Sequence, residues 1–272
     1  MKYLNTDRQT MSDLSIQDTV YGEQVLHSLY LKTDTKKGRQ LMLNWIANPL
    51  SDIEQIQKRQ SAIAWDKLPE LPLDEEELDF LEYYLDYREQ LSYKGAFLSF
   101  INKVDRLVKS NPSRYVIARG VALVVKMLVR LDKLQEQLLQ NSPDLIRRFA
   151  DIIRYSFEFE DMKKIPKQQA KEEVLSYYTI DCYDYLFRQE RLGVIRGLLD
   201  VVYQLDVLRA AHGVAIERGY CCCPSMTETM HLSVSGFLHP FLPDGQINDW
   251  EISEGNIAIF TGSNMAGKST TL

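Results

Sequence analysis

Residues 115–139 read YVIARGVALVVKMLVRLDKLQEQLL, and apolar side chains recur in this stretch every three or four positions. That spacing places the apolar side chains along one face of an α-helix, so the stretch predicts a long helix with one buried side. The residues of this face are Val121, Val124, Leu128, Leu131, Leu134 and Leu138. A face of this kind is stable when it packs against other elements, which favours a core built from helices.

Helical patterns also precede this stretch. Pro49 predicts that one helix ends near Asn48, and Ser51 followed by Glu54 predicts a capping box at the start of the next helix. The buried stripe of that second helix is expected to contain Ile53, Ile56 and Ile63. A proline-containing loop is expected at residues 68–73, before helical spacing resumes at residues 75–91.

The helical patterns continue towards the C-terminus, and the fold class is therefore expected to be mainly α. The ranges with helical spacing are 144–157, 168–188 and 192–215. The last range has an apolar face formed by Ile195, Leu198, Val202, Leu205 and Leu208. Pro166, Gly213 and Gly219 are expected to interrupt or end helices.

The sequence changes character after this helical part. Pro224 predicts a domain boundary, and the alternation of residues 231–237 predicts a strand. Residues 256–260 form a short apolar run that is typical of a buried strand. The expected domains are a helical domain at residues 1–224 and the incomplete beginning of a small α/β domain at residues 225–272.

Composition and charge limit the classes of function. With 45% hydrophobic and 26% charged residues, the chain is expected to fold as a globular protein. The net charge of −6 argues against a DNA-binding surface over the whole molecule, because non-specific DNA affinity comes largely from neutralised phosphates. A basic stretch at residues 103–148 and an acidic stretch at residues 66–89 stand out, and solvated helix faces are the favoured interpretation of both.

No segment of the sequence predicts a membrane protein. Residues 1–10 lack the apolar core of a secretion signal, and the most apolar window, residues 116–129, is too short to cross a bilayer. A cytoplasmic location is expected. Cys182 and the run Cys221, Cys222 and Cys223 lack the paired spacing of a zinc site, so we expect free thiols in a reducing compartment.

One motif carries chemistry: residues 262–269 read GSNMAGKS and satisfy the pattern GxxxxGK[ST] directly after the apolar run. In this pattern the glycines let backbone amides surround phosphates, the lysine contacts the outer phosphates and the hydroxyl binds magnesium. It predicts an ATP site with Mg²⁺, in which Ser269 supplies the metal-binding hydroxyl. The residues expected to contact the nucleotide are Gly262, Ser263, Asn264, Met265, Ala266, Gly267, Lys268, Ser269 and Thr270.

The loop at residues 261–270, TGSNMAGKST, resembles the signature of the MutS family of mismatch-repair ATPases, which typically reads TGPNMAGKST. Ser263 stands where the family usually has proline. Residues far upstream resemble the family's core-domain run, although Gln40 replaces its usual arginine: Thr33, Thr35, Gly38, Leu41, Trp45, Pro49, Leu50, Ile56, Arg59, Gln60 and Ile63. Further landmarks in the family order are Leu205, Asp206, Val207, Leu208, Tyr220, Pro224, His239 and Pro240.

The resemblance implies a multi-helix core and lever domain followed by the start of a P-loop ATPase domain. It also implies ATP binding coupled to a helical lever, a homodimer in the complete protein, and duplex or branched DNA as a partner. No catalytic residue is predicted, because the carboxylate and the water-positioning group of P-loop enzymes come from later strands. We therefore expect this segment by itself not to hydrolyse ATP at a useful rate.

Two departures from the family pattern weaken the DNA expectation. The core pattern begins near the start of the sequence, with no mismatch-reading domain ahead of it, and residues 115–188 read as helix where the family has a strand-rich DNA clamp. Trp250 is not in register with the family's adenine-stacking aromatic residue. Two alternatives remain open: a helical scaffold without DNA or nucleotide activity, and an unrelated P-loop ATPase with a helical prefix.

Overall fold

The computed structural model describes residues 3–13, 16, 26–88, 112–169, 175–220, 223–227, 231–242, 245–253, 259 and 261. The chain divides into two compact units. The first unit comprises residues 1–4 and 30–222 and is helical in its described part. The second unit comprises residues 5–29 and 223–272 and contains two short helices and two strands in its described part. The expected mainly α fold is confirmed.

The helices of the first unit are α3 (Lys36–Ala47), α4 (Ile53–Ala64), α5 (Glu75–Leu85), α6 (Pro112–Leu139), α7 (Asp144–Ser156), α8 (Glu160–Gln169), α9 (Tyr177–Tyr185) and α10 (Leu192–Arg218). A five-residue π-helix, Leu186–Glu190, joins α9 to α10. The short helices α1 (Arg8–Asp13) and α2 (Leu26–Tyr30) precede them in the chain.

Helix α3 ends at Ala47 with Asn48 as its C-cap, which confirms the helix end near Asn48 that Pro49 predicts. Helix α4 begins differently from the prediction: its N-cap is Asp52, whose side chain accepts a hydrogen bond from the Gln55 backbone N–H, and not Ser51. Ser51 and Asp52 are both good capping residues, so the sequence left a choice of one position. The expected stripe of α4 is also wrong at Ile53, whose side chain is 51% exposed.

Helix α5 begins with a capping box in which Asp74 and Glu77 each accept a hydrogen bond from the other's backbone N–H. It follows an irregular segment that includes the expected loop at residues 68–73. The predicted continuation of this helix to residue 91 is not found: α5 ends at Leu85, and residues 89–91 lie outside the described part.

Helix α6 has 28 residues and confirms the long helix predicted from its apolar spacing. All six residues of the expected face are buried. They form one hydrophobic core with side chains from α5, α7 and α10, so the face packs against helices on several sides. Burial of this apolar surface is the main stabilising contribution to the unit.

Helices α7 to α9 follow the predicted ranges only in part. Helix α7 matches its predicted range, but Pro166 lies inside α8 and does not interrupt it. The continuous helix expected at residues 168–188 is not found, because residues 175–176 are not helical, α9 begins at Tyr177 and the π-helix follows from Leu186. Residues 170–174 lie outside the described part. Ser176 caps α9 by accepting a hydrogen bond from the Thr179 backbone N–H.

Helix α10 has 27 residues, and the five residues of its predicted face are buried. Gly213 lies inside this helix and does not break it, which corrects the prediction for that position. Gly219 ends the helix in the left-handed conformation, with φ of 66°, as its glycine character predicts.

In the second unit, strands β1 (Leu232–Phe237) and β2 (Asn248–Ile252) pair antiparallel, with Val234 opposite Trp250. The strand predicted at residues 231–237 is confirmed, whereas β2 was not predicted. The strand expected at residues 256–260 lies almost entirely outside the described residues. The boundary near Pro224 stays a prediction.

Candidate functional site

The phosphate-binding residues predicted from the sequence lie outside the described part of the chain. This applies to all nine: Gly262, Ser263, Asn264, Met265, Ala266, Gly267, Lys268, Ser269 and Thr270. Of their immediate surroundings only Ile259 and Thr261 are described, and the Ile259 side chain is 82% exposed. The expected binding of ATP and Mg²⁺ therefore stays a prediction.

The clearest polar site of the helical unit joins two sequence motifs that are far apart in the chain. Asp206 lies on α10, and its buried carboxyl group accepts hydrogen bonds from the backbone N–H groups of Asp34 (2.8 Å) and Thr35 (3.0 Å). The Thr35 hydroxyl donates a third bond, 2.6 Å long, to the same group. The start of α3 is thereby fixed to the middle of α10.

Thr35 connects this carboxyl group to the end of the helix. Its hydroxyl oxygen accepts a hydrogen bond from the Gly38 backbone N–H at 2.9 Å, which makes Thr35 the N-cap of α3. A Cβ atom at position 38 would overlap the Asp206 carboxyl group and the Thr35 hydroxyl, so only glycine fits without a shift. Burial raises the pKa of Asp206, and the bonds from Thr35 and Asp34 oppose that rise.

A second buried network links α5, α9 and the π-helix. The Tyr84 hydroxyl donates to Asp184 Oδ1 at 2.8 Å, and Arg188 donates to both oxygens of the same carboxylate at 2.6 and 2.7 Å. Arg188 also donates to the Tyr87 carbonyl. Burial, and then the neighbouring Asp184, raise the pKa of Tyr84 well above its usual value, so its hydroxyl remains a donor.

The ring of Tyr84 also sets the distance between two helices. Gly120 of α6 lies directly against this ring, and a Cβ atom at position 120 would overlap its carbon atoms. Helices α5 and α6 therefore approach closely at this point, and the Tyr84 hydroxyl is aimed towards α9.

The acidic stretch is tied to neighbouring helices and is not only a solvated face. Four acidic residues of α5 and its end bind side chains of α3, α6 or α10. The pairs are Glu77 with Lys126, Asp79 with Lys36, Glu82 with the Tyr203 hydroxyl, and Asp86 with Arg196. The pairs of Asp79 with Lys36 and of Asp86 with Arg196 are largely exposed, so each contributes little stability by itself.

The basic stretch is similarly paired in its described part. Arg114 pairs with Asp181 and Lys126 with Glu77, while Arg119 lies over the Phe80 ring at 4.5 Å. Arg130 donates to the Pro72 carbonyl, and Arg147 to that of Ser142. Within the described residues of this stretch, Lys133 and Arg148 make no ion pair. Lys103, Arg106 and Lys109 lie outside the described part.

The described residues contain neither a metal-binding cluster nor a helix that could span a membrane. Those residues contain no group of three or more His, Cys, Asp or Glu side chains arranged to hold a metal ion. Cys182 and Cys223 are free thiols, and Cys221 and Cys222 are not among the described positions. Where the structure describes helices, none is long and apolar enough to cross a membrane.

The long buried helices α6 and α10, with α3 fixed to α10 by Asp206, define a multi-helix core domain. Comparison with known families identifies this domain, because the model of MutS domain III matches residues 9–211. The chain therefore belongs to the MutS family. This match argues against the alternative of an unrelated ATPase with a helical prefix.

The chain is also similar to the DNA mismatch repair protein MSH7 of Arabidopsis thaliana, with 24% identity over 333 aligned positions. The match covers 99% of this chain and 28% of that relative. The chain thus spans less than a third of the relative's length.

The sequence contains signals for the residues around Thr35 and Asp206 and for the pair of Asp184 and Arg188, but no signal for the position of Tyr84. The motif around Thr35 and the motif around Asp206 were both recognised, but their contact was not predicted. Asp184 and Arg188 are four residues apart, which is a usual signal of an ion pair on a helix and could have indicated this contact. Nothing local in the sequence indicates that Tyr84 joins that pair.

Proposed function

We propose that this chain is a segment of a MutS-like DNA-repair ATPase in which ATP, bound with Mg²⁺ at residues 262–270, changes the arrangement of the helical core. In the complete protein, Lys268 contacts the outer phosphates and Ser269 binds the metal. The complete protein acts as a homodimer on duplex or branched DNA.

One observation carries this proposal: the TGSNMAGKST motif occurs in the same chain as a MutS domain III core. Helix α10 supports the coupling, because among the described helices it is the one that precedes the motif most closely, and most of its length contributes buried residues. Through Asp206 it also holds the start of α3, so a displacement of α10 would be transmitted to a second helix.

Nucleotide binding is tested with a fluorescent ATP analogue, on this chain and on a version that carries the whole ATPase domain. We expect Lys268→Ala to weaken binding of the analogue at least about tenfold, a loss of about 1.4 kcal/mol. Ser269→Ala should remove the dependence on Mg²⁺. Lys133→Ala, an exposed lysine on α6, is the matched control and should bind as the wild type does. Equal binding by Lys268→Ala and wild type would refute the proposal.

A helical scaffold without DNA activity is the second candidate, and the internal pairing of the basic stretch favours it. Arg114 and Lys126 already face carboxylates, which leaves fewer charges for phosphates. Binding to duplex and branched DNA at increasing salt separates the two functions. A steep loss of affinity with salt supports the DNA function, and no binding at low salt supports the scaffold.

A further inference from the structure

A cavity of about 460 Å³ lies in the helical unit between α3, α4, α10 and the N-terminal residue Tyr3. An antiparallel bridge between Tyr3 and Leu50 holds Tyr3 at this position, together with a hydrogen bond from the Leu4 N–H to the Pro49 carbonyl. The volume is within the range of small-molecule sites.

Arg59 of α4 is the unusual group in this cavity. Its guanidinium carbon lies 3.8 Å from the centre of the Trp45 ring, and the side chain is half-buried. The half-buried position removes the charge of Arg59 in part from water, and this burial lowers the pKa of Arg59. Among the described residues, no carboxylate pairs with it and no acceptor binds its N–H groups.

The other half-buried arginines of the described part differ from Arg59, because each faces an aspartate. These pairs are Arg114 with Asp181, Arg188 with Asp184, Arg191 with Asp161, and Arg209 with Asp34. A partly desolvated guanidinium without an acceptor is costly, and such groups in folded proteins are normally paired. The exception at Arg59 therefore indicates an acceptor that is not part of the described chain.

The remaining polar groups of the cavity identify the charge of that acceptor. Lys37 also lines the cavity and forms no ion pair with the described residues, while Gln40 offers a side-chain amide. Among the described residues that line the cavity, Asp200 is the acidic one. Two cations against one carboxylate favour an anionic ligand, and the planar fork of arginine suits a group with several oxygen atoms.

We propose that this cavity binds a phosphate group, with Arg59 donating two hydrogen bonds and Lys37 supplying a second positive charge. Trp45 holds the guanidinium plane by stacking on one face and leaves its edge free for the phosphate oxygens. The proposed contacts all come from residues of the helical unit, so we expect phosphate to bind here when Lys268 is replaced. The same chemistry would accept the phosphate of a small molecule or one phosphodiester of a DNA strand.

The experiment titrates inorganic phosphate into the chain carrying Lys268→Ala, which removes the lysine of the loop, with calorimetry and Arg59 Nε–H NMR signals as readouts. We expect saturable binding that shifts the Arg59 signal. Arg59→Met should abolish binding, and Arg59→Lys, which keeps the charge, should weaken it about tenfold because the fork is lost. Arg148→Met, an exposed arginine without an ion pair to described residues, is the control and should bind as the parent does.

A second titration distinguishes the sources of the phosphate. If a short single-stranded oligonucleotide displaces inorganic phosphate, the site accepts a DNA phosphodiester; if it does not, the site takes a free phosphate or phosphomonoester. Absence of binding by both ligands, or equal binding of phosphate by Arg59→Met and the parent, would overturn the proposal. Circular dichroism melting of each variant shows whether it is folded. If Arg59→Met does not fold, the weaker phosphate binding expected of Arg59→Lys still tests the proposal.

Discussion

Asp206 and Thr35 are 171 positions apart in the sequence, yet Asp206 Oδ2 accepts hydrogen bonds from both the backbone N–H and the hydroxyl of Thr35. The two residues belong to the separate motifs that carry the resemblance to the MutS family. Their contact gives those motifs a common physical purpose, which is to fix the beginning of α3 against α10.

Replacement of Asp206 should therefore destabilise the helical unit. In Asp206→Asn, an NH₂ group replaces one carboxyl oxygen and faces a backbone N–H or the Thr35 hydroxyl. At least one hydrogen bond is therefore lost, and the NH₂ group lies against another hydrogen-bond donor. We expect the free energy of unfolding to fall by about 2 to 3 kcal/mol, as measured by urea denaturation. Asp200→Asn, at an exposed position of the same helix, should change it by less than about 0.5 kcal/mol. Similar losses in both variants would contradict this role of Asp206.

The same carboxyl group predicts a dependence of stability on pH. Because burial raises the pKa of Asp206, the folded chain keeps this proton at pH values at which the unfolded chain has lost it. The contribution of Asp206 to the free energy of unfolding should therefore decrease as the pH rises from about 4, the unfolded value, through the folded pKa. Above that pH it stays constant.

Denaturation of wild type and Asp206→Asn at a series of pH values isolates this contribution. The stability difference between the two proteins should be largest at the acidic end and shrink as the pH rises. A difference that grows with rising pH would mean that the folded-state pKa of Asp206 is depressed.

Gly38 should not tolerate a side chain, even though alanine is the better helix former. In Gly38→Ala the new methyl group would overlap the Asp206 carboxyl group, and we expect a loss of at least about 2 kcal/mol. Gly213→Ala is the matched control, because a Cβ atom there meets nothing within 4 Å. That variant should gain up to about 1 kcal/mol from helix propensity. Thermal or urea unfolding of both variants checks the prediction, and a stabilised Gly38→Ala would show that the close approach is absent.

The hydroxyl of Tyr84 should contribute measurably to the second buried network. Tyr84→Phe keeps the ring that lies against Gly120 but removes the hydrogen bond to Asp184, so we expect a loss of about 1 to 2 kcal/mol. Tyr83→Phe on the same helix removes a hydroxyl from a side chain that is 55% exposed and should have little effect. Equal free energies of unfolding of the two variants in urea would indicate that the hydrogen bond from Tyr84 to Asp184 does not stabilise the fold.

The sequence predicted the parts of this fold that depend on local spacing. Every residue predicted for the buried faces of α6 and α10 is buried, because apolar residues repeat at the helical period. Gly219 was predicted as a helix end because the left-handed conformation found there favours glycine. The start of α4 was missed by one residue, since Ser51 and Asp52 cap equally well. Pro166 was expected to break a helix that in fact contains it near its C-terminal end.

Contacts between distant segments could not be predicted from spacing. The bond between Thr35 and Asp206, and the position of Tyr84 against Asp184, depend on how whole helices pack. The cavity around Arg59 belongs to the same class, because its walls come from three helices and an N-terminal residue. At residues 262–270, the expectation that the chain binds ATP and Mg²⁺ rests on the sequence motif alone.

Nucleotide bound at the loop of residues 262–270 is expected to change the helical core through α10. Hydrogen exchange measured by mass spectrometry, on a version of the protein with the whole ATPase domain, tests this directly. Saturating ATP and Mg²⁺ should alter amide exchange in both α10 and α3, which Asp206 joins, and the change should be absent in Lys268→Ala. ATP binding that leaves exchange in both helices unchanged would contradict the claim.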